Sequence, residues 1–253
     1  MKYSAVIPVY NESGNLRELY NRLTNVLKRT GESYEIIFVN DGSTDNSHDI
    51  LEGIASFDDN IVVIEFEKNF GQHPALTAGF RYAAGDLVIT LDADLQNPPE
   101  EIPRLLKEID KGYDHVCGKR KRRKDPLLRK IPSFFVNLII SMRTGVWMED
   151  YGSMLRVFRR ETARKVADEF SRTRAYITMI VPGVTRNIKE IEVDHGERYQ
   201  GQSKYDIKKL MDAFFRIFFK SSPVQRSGKE DVQPVYTIKY MIRCGTRITP
   251  SGI

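Results

Sequence analysis

Apolar and polar residues alternate between two periods along the first half of this chain. Residues 3–9 form a run rich in Val and Ile around Pro8, the pattern of a buried strand. A polar turn at 11–14 follows, and residues 16–27 place Leu16, Leu19, Leu23, Val26 and Leu27 at helical spacing. The exchange repeats through a strand at 34–39, a turn NDGSTD at 40–45 and a helix at 48–55. It continues with a strand at 61–66, a helix at 75–84 ending at Gly85, and a strand at 87–91. Strands alternating with helices over the first ~115 residues predict an α/β fold with a mostly parallel, Rossmann-like sheet and flanking helices. The first turn has no GxGxxG, which argues against a dinucleotide dehydrogenase.

The second half is less regular. Residues 134–142 read as an apolar helical segment, 153–158 as a strand, 160–170 as a short helix and 188–193 as another strand. Residues 206–220 set Ile207, Leu210, Met211, Phe214, Ile217 and Phe218 on one face of a basic helix, suited to core packing or to a membrane surface. From Ser221 the chain turns polar and carries no motif. The expected organisation is a single domain over 1–220, in two parts at 1–115 and 116–220. An irregular, flexible tail at 221–253 is expected to follow.

Composition narrows the classes. A hydrophobic content of 41% in 253 residues supports a substantial core. Cys117 and Cys244 have no metal or redox spacing, which favours a reducing compartment. The net charge of +5 is uneven, with KRKRRK at 119–124 and more cations at Arg129 and Lys130. Such a run is a solvated loop or an anion site for nucleic acid, acidic lipid or pyrophosphate. Aromatic interleaving and a nucleic-acid module are both missing, so nucleic acid is not expected as a partner. No signal peptide and no apolar stretch of roughly 18–20 residues stands out, so an integral membrane protein is not expected.

The candidate chemistry centres on DLVITLDADLQNPP at 86–99. Asp92 and Asp94 follow an apolar strand, at the end where open α/β sheets bind ligands. Carboxylates two residues apart in extended chain project alike and can share a hard cation with phosphate oxygens. On the triplet alone, two solvated acids ahead of Pro98 and Pro99 explain it equally well. Pro8, Tyr10 and Glu12 lie just past the first strand, where a nucleotide can meet an aromatic face and a carboxylate. Asp41 closes the second strand and can accept a base N–H, whereas Ser43 and Asp45 suit turn or cap roles better.

Five segments then agree with one another: AVIPVYNE at 5–12, FVNDGSTD at 38–45, KNFGQHPALTAGF at 68–80, LDADLQNPPEEIP at 91–103 and EDYGSMLR at 149–156. Together they closely resemble the family 2 inverting glycosyltransferases of GT-A fold. Within these they resemble the polyprenyl-phosphate glycosyltransferases: dolichyl-phosphate mannose synthases, bactoprenyl glucosyltransferases and undecaprenyl-phosphate 4-deoxy-4-formamido-L-arabinose transferases. DLQNPPEEIP and DYGSMLR look nearest to the last.

The resemblance implies a sugar nucleotide donor, UDP-linked before GDP-linked, and a polyprenyl phosphate acceptor at the cytoplasmic face of the membrane, the enzyme being cytoplasmic and peripheral. It implies Mg²⁺ or Mn²⁺ held by Asp92, Asp94 and Gln96, with Pro8, Tyr10, Glu12, Asp41 and Asp92 around the nucleotide. It implies that the domain over 1–220 is catalytic, with the part at 1–115 nucleotide-binding and the part at 116–220 the acceptor part. Asp150 becomes the catalytic acid residue of the acceptor loop, with Glu149 its rival. Arg120, Arg129 and Ser133 are implied for the lipid phosphate, and Arg198, Ser203 and Lys204 for closure over the donor diphosphate. His195 reads as a local hydrogen-bonding residue. Self-association is left open. The alternatives are GDP-mannose as donor, a saccharide acceptor, and a non-enzymatic anion-binding scaffold. Relatives often continue into transmembrane helices where this chain turns to RSGKEDVQPVY, and Ser153 stands where the nearest of them tend to carry Cys.

Overall fold

A computed structural model describes residues 1–121, 141–142, 144–196 and 235–249. Its core is a nine-stranded sheet in the order β7-β5-β6-β4-β1-β2-β3-β8-β9. The strands are β1 (Tyr3–Val9), β2 (Tyr34–Asn40), β3 (Ile61–Phe66), β4 (Leu87–Thr90), β5 (His115–Arg120), β6 (Arg156–Arg159), β7 (Ile188–Val193), β8 (Ile238–Arg243) and β9 (Thr246–Ile248). The helices among the described residues are α1 (Leu16–Arg29), α2 (Ser47–Ala55), α3 (Gln72–Tyr82), α4 (Ile102–Ile109), α5 (Arg160–Thr173) and α6 (Ile177–Val184).

The central strands are apolar on both faces because helices cover both. Ala5, Ile7 and Val9 of β1 face Leu16, Leu19, Leu23 and Leu27 of α1, together with Ile50 and Ile54 of α2. Their neighbour Val6 points the other way, with Ile37 and Val39, into α3 and α5 at Leu76, Phe80, Val166 and Phe170. Each fully buried Leu contributes roughly 1.5–3 kcal/mol. α3 presses so close that a Cβ on Gly79 would lie 2.1 Å from Val6 Cγ1.

Strand direction decides where the loops fall. β4, β1, β2 and β3 are mutually parallel. β6 runs antiparallel to both β4 and β5, and β5 is parallel to β7. β1 to β5 and β7 therefore all point one way. Their carboxyl ends, and the amino end of β6, lie along a single edge of the sheet.

The expected strands at 3–9, 61–66 and 188–193 are found as read, and the other early elements shift by only a few residues. α3 opens at Gln72, three residues before the expected start. β6 begins at Arg156 rather than at residue 153, because the preceding segment is a loop held by side chains. β5, α4 and α6 had no counterpart in the pattern. The largest correction concerns the tail. Within it, β8 pairs antiparallel with β3 and β9 with β8. Tyr240, Met241 and Ile242 are buried there. This hairpin covers an edge of β3 that would otherwise expose a row of unpaired backbone groups. The helical reading at 206–220 and nearly all of that at 134–142 lie outside the described residues.

Candidate active site

The loops after β1 and β2 are tied into one body. Asn11, with φ of 53°, donates its N–H to Ser43 Oγ at 3.0 Å and accepts from the Thr44 N–H at 2.7 Å. Asp45 accepts from the Ser13 and Ser47 N–H groups at 3.1 and 3.0 Å. Burial pushes its pKa up, but these bonds prevail and hold it below the usual range. Of the turn or cap roles expected above, Asp45 takes the turn role, bonding the Ser47 N–H from one residue ahead of Asn46, the N-cap position of α2. Glu12 Oε2 accepts from the Asn15 amide at 2.6 Å, and Tyr10 stands 37% exposed beside it.

Asp41 is buried, and its two carboxylate oxygens accept from the Phe70 and Gly71 N–H groups at 2.7 and 2.8 Å. Burial raises its pKa to about 6 against the pull of those two bonds. Asn69 Nδ2 adds a bond to the Asp41 carbonyl at 3.2 Å. Gly42 permits this approach: its φ is +63°, and a Cβ would lie 2.4 Å from the Lys68 carbonyl carbon. The same loop reaches the acidic triplet on its other side. Gln72 Nε2, at the start of α3, donates to Asp92 Oδ1 at 2.7 Å. Residues 69–72 thus bridge Asp41 to Asp92.

The triplet leaves β4 as an irregular turn. Asp94 Oδ1 accepts from the Gln96 N–H at 3.1 Å, and Leu95 is forced to a φ of 62°. A branched side chain in the left-handed region is strained, and such strain collects at ligand sites. Past the end of β7, the Gly196 N–H donates to the Gln96 carbonyl at 2.8 Å, bringing His195 and Gly196 beside the turn. Asp94 is buried and Asp92 half-buried.

On the β5 side, Arg120 and Asp150 form a fork-to-fork pair, Nε to Oδ2 at 2.7 Å and Nη2 to Oδ1 at 2.8 Å. The Arg120 and Gly152 N–H groups add bonds to the same carboxylate, both at 3.2 Å. Lys119 pairs with Glu149 at 2.6 Å. Arg156 of β6, fully buried, turns back and donates to the Tyr151 and Ser153 carbonyls at 2.6 and 2.7 Å. No carboxylate partners it in these bonds; the carbonyl dipoles take up its charge. Burial first, and then this cation, lowers His73 to about 4 and His115 well below the usual value. Both imidazoles are neutral at pH 7.

The structure therefore sets Pro8, Tyr10, Glu12, Asp41, Asp92, Asp94, Gln96, Arg120 and Asp150 along one sheet edge. Arg129, Ser133, Arg198, Ser203 and Lys204 lie outside the described residues. Gln72 and Arg156 were missed, although both sit in motifs the sequence displays, KNFGQHP and EDYGSMLR. Asp92 and Asp94 offer a hard, oxygen-only donor pair. That set suits a divalent cation completed by phosphate oxygens and water, which takes one or two carboxylates from the protein. Among the described residues no group of three His, Cys, Asp or Glu side chains could hold a metal by itself.

Both the sequence and the fold have counterparts among known proteins. The undecaprenyl-phosphate 4-deoxy-4-formamido-L-arabinose transferase of Shewanella sediminis is 45% identical over 215 residues, covering 85% of this chain and 65% of the relative. That of Proteus mirabilis is 46% identical over 217 residues, covering 85% and 66%. The chain thus spans just under two thirds of the length of these curated relatives. Among solved structures, mannosyl-3-phosphoglycerate synthase from Rubrobacter xylanophilus superposes with a TM-score of 0.66 at 13% identity, over 99% of this chain and 89% of that one. Glucosyl-3-phosphoglycerate synthase from Mycobacterium tuberculosis, in complex with Mn²⁺, UDP-glucose and phosphoglyceric acid, gives 0.62 at 15% identity, over 90% and 82%. These likenesses carry the fold, which is of the GT-A, Rossmann-like type. The model of the family described as glycosyl transferase family 2 matches residues 4–167, and the chain belongs to that family.

Proposed function

We propose that this protein is a metal-dependent inverting glycosyltransferase that moves a sugar from a nucleotide donor to a polyprenyl phosphate. One observation carries the reading: the Asp41 loop, the Asp92–Asp94 turn and the Arg120–Asp150 pair lie along the same carboxyl edge of the sheet. That shared edge supports a donor site and an anion-binding acceptor site lying side by side. The names of the relatives, at about 45% identity, support the acceptor class.

Asp41 and Glu12 line the nucleoside end. Each Asp41 oxygen already accepts one N–H and keeps acceptor capacity for a base N–H. Gln72 fixes the Asp92 carboxylate, and with Asp94 it faces the donor diphosphate. A Mg²⁺ or Mn²⁺ ion held by Asp92 and Asp94, with Gln96 beside them, would neutralise charge on the departing nucleoside diphosphate. Asp150 occupies the Nε–Nη2 edge of Arg120, and the remaining Nη1–Nη2 edge of the guanidinium is offered to the acceptor phosphate. A phosphate monoester is already largely ionised at pH 7, with a second pKa of about 6, so the acceptor oxygen needs no base. Asp150, whose carboxylate accepts from Arg120 and Gly152, serves to aim Arg120. Arg129, Ser133, Arg198, Ser203 and Lys204 complete the two phosphate sites in this reading.

Among the described residues no helix is long and apolar enough to cross a membrane. A polyprenyl acceptor nevertheless requires work at the bilayer surface, at its cytoplasmic face where sugar nucleotides are found. The test is a thermal-shift panel of UDP- and GDP-sugars with and without Mn²⁺, followed by transfer to a short polyprenyl phosphate in detergent. Stabilisation by UDP-sugar with Mn²⁺ and formation of the lipid-linked sugar are expected. Stabilisation by neither nucleotide would sink the donor assignment.

A further inference from the structure

Glu190 lies in the middle of β7, where its register partner on β5 is Cys117. Its carboxylate does not pair with a cation in the bonds that define it. Oε2 accepts the N–H of Glu149 at 2.8 Å and Oε1 the N–H of Asp150 at 3.0 Å. One side chain therefore grips two successive backbone donors of a segment with no strand or helix of its own. Arg156 grips the same segment from β6 through the carbonyls of Tyr151 and Ser153. The loop is clamped by an anion on its N–H side and a cation on its carbonyl side, each from a different strand.

The consequence falls on Asp150. Its N–H is fixed by β7 while its carboxylate is bonded to Arg120 of β5, so the direction of the Arg120 fork depends on where β7 holds the loop. Glu190 also adds negative charge to a patch that already contains Glu149, Asp150 and Glu192, set against Lys119 and Arg120. From these contacts we infer that Glu190 is a positioning residue for the Asp150–Arg120 pair, and so for capture of the anionic acceptor. This rests on the acceptor reading given above. Glu190 need not touch the substrate.

Two variants separate position from charge. Glu190→Gln keeps one carbonyl oxygen but sets an NH₂ donor against the second backbone N–H. Glu192→Gln removes the same charge two residues along the strand and leaves the loop's N–H groups alone. Both are assayed for transfer from a UDP-sugar to a short polyprenyl phosphate, with donor and acceptor varied separately. Amide hydrogen exchange at Glu149 and Asp150 is followed in parallel.

The expected result for Glu190→Gln is a fall of about 10- to 100-fold in kcat/KM for the acceptor. The donor KM should stay within about twofold, and exchange at the two amides should accelerate. Glu192→Gln should stay within about threefold of wild type. Three outcomes overturn the inference: an active wild type with unchanged acceptor kcat/KM in Glu190→Gln, unchanged protection at both amides, or an equal loss in Glu192→Gln. If Glu190→Gln does not fold, Glu190→Asp takes its place, since the shorter carboxylate keeps the charge but not the reach. Full acceptor kcat/KM in that variant overturns the inference equally. A wild type that transfers no sugar overturns the functional reading itself, and the positioning role with it.

Discussion

Arg120 and Asp150 meet fork to fork, Nε to Oδ2 at 2.7 Å and Nη2 to Oδ1 at 2.8 Å, so that the carboxylate fixes the direction of the guanidinium. A general base needs a lone pair turned toward the proton it removes, and here both oxygens face N–H donors. In the proposed reading Asp150 is accordingly a positioning residue rather than the base.

That difference shows in pH profiles. Asp150→Ala should lower kcat/KM for the acceptor by roughly 10- to 100-fold by releasing Arg120. Asp150→Asn should keep the acidic limb of the wild-type profile near pH 6, because the acceptor phosphate sets it. Steady-state rates between pH 5 and 9 decide this. Loss of that limb in Asp150→Asn would restore the base.

Asp94 should be required for the metal-dependent part of donor binding. In the wild type, UDP-sugar with Mn²⁺ near 100-fold its dissociation constant should add about 2.7 kcal/mol, or roughly 5–10 °C in Tm. In Asp94→Asn the shift should shrink to that of nucleotide alone. A thermal shift measured with and without Mn²⁺ reads this directly, and an undiminished Mn²⁺ increment counts against the assignment.

Much of the first part of the chain was legible because each local signal agreed with the next. Runs of Val and Ile, leucines at helical spacing and polar turns between them leave one arrangement for residues 1–91. The stretch after residue 115 was less so, because the loop at 149–153 is ordered by long-range side-chain bonds. Glu190 looks like an ordinary polar residue of an edge strand, and Arg156 like an ordinary strand cation. The tail misled for a different reason. Its turn is Cys244–Gly245, with φ of 49° and 67°, a two-residue hairpin turn without the usual Asn or Asp in first position.

Asp41 should make stability depend on pH. Its pKa rises from 3.8 to about 6 on folding because burial disfavours the charge. A carboxylate raised in this way contributes fully below about pH 4, and the contribution is lost as pH climbs through 6. The full swing is on the order of 3 kcal/mol. Asp41→Asn has no such titration. Urea unfolding should therefore show the wild type losing about 1–3 kcal/mol relative to the variant between pH 4.5 and 8. A difference that stays constant with pH would contradict the buried, raised carboxylate.

Gly42→Ala tests the close approach of the Asp41 loop to residues 68–71. The added methyl meets the Lys68 backbone at 2.4 Å on a residue with φ of +63°. Strain and overlap together should cost about 2–4 kcal/mol. The Phe70 and Gly71 N–H groups should also separate from Asp41, weakening nucleotide binding. Calorimetry of UDP binding and urea unfolding would show both effects. Wild-type values for both would mean that the two loops are not pressed together.

The C-terminal hairpin is expected to be part of the stable fold, and Arg243 gives the sharpest way to ask. Its Nη2 lies 3.2 Å from Glu35 Oε2. Glu35 is buried in β2, where Oε1 accepts from Ser4 Oγ at 2.6 Å and from the Ala84 N–H at 2.8 Å. Those bonds tie β1 and the turn before β4 to the same carboxylate. Arg243→Ala removes the hairpin's cation and leaves the Glu35 charge buried. Breaking a fully buried pair costs about 3–5 kcal/mol, and the partial exposure of Arg243 reduces this to about 1–3 kcal/mol, or roughly 2–12 °C in Tm. Glu35→Gln in the Arg243→Ala background should recover part of the loss, because no charge is then stranded, and the double-mutant cycle should give a coupling of at least ~0.5 kcal/mol. A cycle that closes to zero would mean that the hairpin rests on β3 without this bolt.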